Sequence, residues 1–152
     1  MKNLLKTLAV ALLTVVTINL VGCSKDPEDL IIGTWNATQV IATTTVSGMG
    51  EDWDGTYVDT MSYKDGDYSF TFNKDKSVVI AGYDEEEEES FEEKGTYTLN
   101  DKTLVVTMDG QSQELTIVDL DKKNLTLRTS VSMAGAEGSF TMDTEMHFKK
   151  AK

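Results

Sequence analysis

The sequence predicts an all-β protein, an antiparallel meander of roughly nine strands joined by short connections. Two observations predict it. Beyond residue 30 the apolar residues recur with a period of two, and helical spacing is hard to find. Between the alternating segments stand Asn, Asp and Gly, which accept or favour the left-handed turn conformations that hairpins need. A sheet of this size normally hides its edges by closing into a barrel or folding into a sandwich.

The chain begins differently. Lys2 and Lys6 lead into an apolar run from Leu4 to Leu20, a charged n-region followed by an h-region. The run ends on Leu20-Val21-Gly22-Cys23, which resembles the lipobox of bacterial lipoproteins. The resemblance implies a diacylglyceryl group on the Cys23 thiol, cleavage before Cys23 and acylation of the new amino terminus. Residues 1–22 are then a signal peptide. A membrane-spanning helix is the competing reading, but Thr14, Thr17 and Asn19 weaken the far end of the run. Buried acyl methylenes contribute about 0.8 kcal/mol each, and two or more chains anchor stably. The polar stretch 23–29 then reads as a lipidated acidic tether. Its acids directly after the cysteine resemble the surface-export signal of some Gram-negative lipoproteins. The expected location is the Gram-negative envelope, lipid-anchored at the outer membrane with a lean toward the cell surface.

The rest, 30–152, has the size of one domain. All 26 acidic residues follow the leader, which contains two of the 14 basic ones, so the chain from Cys23 carries a formal charge of −14. Such a surface repels phosphate backbones and anionic lipid, which argues against nucleic acid as a partner and leaves the acyl groups to hold the membrane. Cys23 is the only cysteine, so stability must come from the core and not from an internal disulfide.

The strands read in order as follows. The first long one opens at Ile31-Ile32-Gly33-Thr34-Trp35. Tyr68, Phe70 and Phe72 share a face, and Val78 and Ile80 mark a short strand after the turn at 73–76. Phe91, Gly95, Tyr97 and Leu99 share the next face, and the turn at 100–102 leads to Leu104, Val106 and Met108. Asp109-Gly110 leads to Leu115 and Ile117, and the turn at 121–124 to Leu125, Leu127 and Val131. The last strand alternates most clearly. Phe140, Met142, Met146 and Phe148 lie on one side and Asp143, Glu145, His147 and Lys149 on the other.

Gly33-Thr34-Trp35 at the first strand resembles the Gly-x-Trp motif of the lipocalins and the wider calycin group. Gly95 to Leu104 looks like a hairpin of bacterial lipocalin-like lipoproteins, and Leu125-Thr126-Leu127-Arg128 is similar to their late strand. The resemblance covers roughly Leu30 to Lys149 and implies an up-and-down β-barrel of about 8–9 strands. It further implies a barrel floor made by Gly33, Trp35 and Arg128, in which a late basic side chain packs across the tryptophan. A guanidinium over an indole gains cation–π attraction, and its donors cap carbonyls.

Candidate sites are fewer. The six consecutive acids at 84–89 read as a solvated loop, because calcium needs oxygens converging at defined positions of a turn. Asp52-Trp53-Asp54-Gly55 and Asp65-Gly66-Asp67 read as turns; no metal and no cofactor is expected. Trp53 lies in a Gly-rich acidic loop at 47–55 that a lipocalin-like barrel would hold at its mouth, where an aromatic covers a ligand or grips a partner. The loop at 133–138 is expected at the same rim. Met142 and Met146, with Phe140, are candidates to line a cavity between them, since methionine adapts to irregular apolar shapes. Catalysis finds little support: His147 is the only histidine, no nucleophile–base–acid set or phosphate loop assembles, and among so many acids the sequence singles out no carboxylate pair for acid–base work. The expected function is therefore non-enzymatic binding of a small apolar or amphipathic ligand. The alternative is an accessory module with a filled barrel, acting on a protein partner through its loops or acidic surface.

Overall fold

The computed structural model describes residues 26–84, 88–136 and 138–152. The leader, Cys23 and the first residues of the tether lie outside them. Among the described residues no helix is long and apolar enough to cross a membrane.

The chain forms a short helix α1 (Pro27–Ile31) and nine strands. These are β1 (Gly33–Ser47), β2 (Gly55–Ser62), β3 (Tyr68–Phe72), β4 (Ser77–Asp84) and β5 (Glu89–Asn100). They continue with β6 (Thr103–Met108), β7 (Gln111–Leu120), β8 (Asn124–Gly135) and β9 (Gly138–Lys150). All pairings are antiparallel, and β1 pairs with β9 along nearly its whole length, which closes the sheet. The all-β barrel expected from the sequence is the observed architecture. Eight strands close it, and β2 is additional: β2 and β3 lie end to end on the same edge of β1, beside residues 39–46 and 33–36. They hand over at a bulge at Thr38, whose carbonyl accepts from the Tyr63 amide at 3.1 Å.

Residues 27–29 of the expected tether lie in the helix α1. Asp26 caps its start by accepting from the Glu28 amide at 3.0 Å, and Pro27 occupies a first-turn position where its missing N–H costs nothing. Ile31 at its end is wholly buried, which pins the helix across the bottom of the barrel. Glu28 reaches Lys76 in the β3–β4 turn at 3.0 Å. The acidic run also does more than form a loop. Asp84 and Glu89 pair across the β4–β5 hairpin, and Glu88 turns with φ 52°; residues 85–87 lie outside the described residues.

The core occupies the lower half. Trp35, Phe72, Val78, Tyr97, Leu104, Leu125 and Leu127 are all but sealed from water. Phe72 and Tyr97 meet edge to face at 5.0 Å, and Phe70 reaches Phe148 across the interior at 5.2 Å. The strands other than β2 feed this core with alternate residues, as the alternation predicts. No buried side-chain nitrogen or oxygen among the described residues lacks a hydrogen-bond partner.

The upper half is built differently, because two ladders stop early. β7 pairs with β8 only as far as Thr116 and Arg128, so 129–135 of β8 have no strand on that side. β2 pairs with β1 alone. Above these two seams the long sheet β2–β1–β9–β8 therefore parts from the sheet β3–β4–β5–β6–β7.

Candidate functional site

The closed end explains how the open end is held. Trp35 points inward from β1, and its indole Nε1 donates to the Ile31 carbonyl at 2.6 Å. Lys150 Nζ donates to the Leu30 carbonyl at 2.9 Å and sits 4.7 Å from the Trp35 ring centroid. Two carbonyls at the end of α1, which have no partner inside a helix, are thus satisfied by the same pair of side chains. Gly33 has φ +124°, and a β-carbon there would lie 2.9 Å from Lys150 Cε. A side chain at 33 would therefore collide with the lysine stem.

The floor differs from the expected one in one residue. A basic side chain does cross the first-strand tryptophan, but it is Lys150. Arg128 stands on the outer face of β8, half-exposed, and donates to Glu145 at 2.6 Å. The reason is parity. Leu125 and Leu127 point inward and are fully buried, so Arg128 must point out; Lys150 lies directly opposite Trp35 and two residues beyond inward-facing Phe148.

Above the floor, a cup of about 580 Å³ opens on the wall formed by β3 to β7. Phe70, Ile80, Val106, Met108 and Leu115 supply its apolar surface. Glu93, Asp109, Gln111, Ser112 and Gln113 supply its polar rim. Register explains the division. Gln111 lies opposite Met108, Gln113 opposite Val106 and Leu115 opposite Leu104, so β7 turns from apolar to polar as it rises toward the mouth. Glu93 lies opposite Ile80 and therefore faces in. The volume falls in the usual range for small-molecule sites, roughly 300–1,000 Å³. A second hollow, of about 570 Å³, lies at the β2 seam among Met61, Tyr63, Lys64, Asp67 and Tyr83.

Phe140, Met142 and Met146 stand on the inner face of β9, opposite Val46, Thr44 and Val40. They belong to the other wall of the barrel and do not line the 580 Å³ cup. Met146 packs against the core, and Val131 and Met133 of β8 continue the apolar surface upward. The two loops expected at one rim do meet there, since Ser47 pairs with Ser139. Trp53 projects from the first loop with 69% of its surface exposed. The loop itself is built: Asp54 accepts from the Gly48 and Met49 amides at 2.9 and 2.8 Å, and the Trp53 amide donates to the Gly50 carbonyl at 2.9 Å. Both acidic Gly segments are turns, and no group of three or more metal-ligating side chains occurs among the described residues.

The electrostatics follow the same division. Burial chiefly, then the neighbouring Tyr63 and Glu93, raises the Tyr68 phenol. Tyr97 is raised chiefly by burial, and its hydroxyl donates to the Asn73 carbonyl at 2.9 Å. His147 lies on the outer face, with Nε2 3.1 Å from Glu145.

Glu93 is the cup-lining residue that sequence reading passes over. Its signal is present: it falls at an inward position between Phe91 and Gly95, where alternation calls for an apolar residue.

The sequence pattern of the Lipocalin-like domain family matches residues 31–127, from the end of α1 to the last buried leucine of β8. The chain belongs to this family. A lipocalin-like protein from Bacteroides uniformis has the same fold at 14% identity and a TM-score of 0.50, covering 80% of this chain and 98% of that one. An uncharacterized protein from Bacteroides eggerthii aligns at 14% identity with a TM-score of 0.47, covering 79% and 98%. No curated protein matches the chain. The lipocalin-like fold suits small-ligand binding in general, and the cup above the Trp35–Lys150 floor has the volume for a small molecule.

Proposed function

We propose that the protein is a lipid-anchored lipoprotein of the Gram-negative envelope that binds a small amphipathic molecule in its barrel, without catalysing a reaction on it. The observation that carries the reading is the 580 Å³ cup, with an apolar floor at Phe70, Ile80, Val106 and Leu115 and a polar rim at Glu93 and Gln113. An amphiphile would bury its apolar body in the floor and keep its polar end at the mouth, so desolvation favours entry without stranding a polar group. The position of His147 outside the barrel supports a binding role over an acid–base one.

Titration calorimetry on protein lacking residues 1–23, which retains the Asp26 cap, tests the binding. A panel of fatty acids, long-chain amines, retinoids and haem-like molecules should include a binder at one-to-one stoichiometry. Gln113→Trp places a large ring at the exposed rim and should abolish that binding while leaving thermal stability nearly unchanged. Absence of any binder, or binding indifferent to Gln113→Trp, would contradict the reading.

The anchor and location rest on the leader pattern Lys2, Lys6, Leu4 to Leu20 and Cys23, and on the acids Asp26, Glu28 and Asp29 that follow the cysteine at short distance. Mass spectrometry of the membrane-extracted protein should find acyl mass on Cys23 as the first residue, and surface proteolysis of intact cells should reach the barrel. Soluble protein still carrying residues 1–22 would contradict it.

A second reading, an accessory module acting on a protein partner, is favoured by the exposed apolar rim. Trp53 and Tyr57, at the β2 edge, are 69% and 53% exposed, and Met133, on the unpaired edge of β8, is 63% exposed.

A further inference from the structure

We propose that the cup selects amphiphiles with a positively charged head, an ammonium or guanidinium group on an apolar body, over fatty acids and other anions. The inference rests on the cup being the ligand site.

Among the described residues no Lys, Arg or His lines the cup, whereas two carboxylates do, Glu93 from β5 and Asp109 from the β6–β7 turn. The remaining rim groups are neutral: Gln111, Ser112 and Gln113. The outer face of the same barrel pairs acids with bases, Glu92 with Lys94 at 2.8 Å and Glu145 with Arg128 at 2.6 Å. Among the described residues no salt bridge or hydrogen bond engages the side-chain carboxylate of Glu93 or Asp109. The barrel thus keeps uncompensated negative charge on the inside of its mouth. The β4–β5 hairpin ends at this same end of the barrel, where Glu88 and Glu89 stand. A fatty-acid carboxylate entering here would meet like charge where water is being excluded, and that repulsion is stronger than in bulk solvent.

The test compares dodecyltrimethylammonium, dodecanoate and dodecanol, below their micelle concentrations, by titration against the protein lacking residues 1–23. The cation should bind at one-to-one stoichiometry at least about fivefold more tightly than the anion, the scale of one partly exposed ion pair. Glu93→Gln should remove that preference, with dodecanol binding unchanged. Glu114→Gln removes an equal charge from the outer face of β7, and it should leave the preference intact. Equal or tighter dodecanoate binding overturns the proposal while the cup stands as a ligand site. Equal losses in Glu93→Gln and Glu114→Gln overturn it too, because the attraction would then be that of the whole acidic surface. Failure of all three probes overturns both the head-group preference and the binding reading beneath it. Should Glu93→Gln fail to fold, the ranking of the three probes on the parent and on Glu114→Gln decides.

Discussion

Trp35→Ala should destabilise the barrel by about 3–5 kcal/mol in equilibrium denaturation, the range for removing a large aromatic from a packed interior. The side chain is fully buried, its indole nitrogen satisfies the Ile31 carbonyl, and Lys150 packs across its ring. Truncation would leave a void at the floor, an unpaired carbonyl at the end of α1 and a lysine stem without support. The companion substitutions separate the observed floor from the one the resemblance implied. Lys150→Ala should cost about 1–3 kcal/mol, combining a shielded cation–π contact with a charge-assisted hydrogen bond. Arg128→Ala should cost less than about 1 kcal/mol, since its partner Glu145 and its own half-exposed guanidinium are screened by water. A larger loss for Arg128 than for Lys150 would contradict the floor described above.

Gly95→Val should be similarly severe, at about 3 kcal/mol, for a different reason. Gly95 lies opposite Val78 on one side and Met108 on the other. A β-carbon there would overlap the Thr107 carbonyl oxygen and the Met108 sulfur. The methionine can swing away; the carbonyl belongs to the β6 ladder and cannot move without parting two strands. Because Met108 also lines the cup, the substitution should weaken ligand binding as well as stability. Gly135→Ala is the control: its β-carbon would meet nothing within 4 Å, and the change should stay within about 0.5 kcal/mol. Comparable losses at both positions would show that chain flexibility, not the β5–β6 contact, sets the requirement for glycine.

Much of this architecture is legible in the sequence because a half-buried strand writes its orientation into every second residue. Phe140 to Phe148 shows it, and so do the turns at 73–76, 109–110 and 121–124. Where alternation is followed strictly, it also identifies what the family resemblance misassigned. Arg128 is one residue past buried Leu127 and must face out, while Lys150 is two past Phe148 and must face in. The helix α1 is written as Asp26-Pro27-Glu28-Asp29, a capping residue, a first-turn proline and early acids. At five residues it is too short for periodicity to reveal. β2 is nearly silent, since Gly55 to Ser62 remains mostly exposed and buries no apolar face. The place of the cup is not readable locally at all. It depends on which ladders stop early, the β7–β8 pairing at Thr116 above all, and that is a property of strand lengths around the whole barrel.

On the reading proposed above, a small amphipathic molecule enters the barrel at the cup on its β3–β7 wall. Methyl-resolved NMR with the tightest binder of the panel tests it most directly, because the two faces of the wall carry separate probes. Ile80, Val106, Met108 and Leu115 report from the cup, and exposed Val58 and Val118 report from elsewhere on the surface. The account predicts saturable shifts at the first set with the second unmoved. Shifts confined to Val58 or Val118, or none at Val106 and Leu115 at saturating ligand, would contradict it.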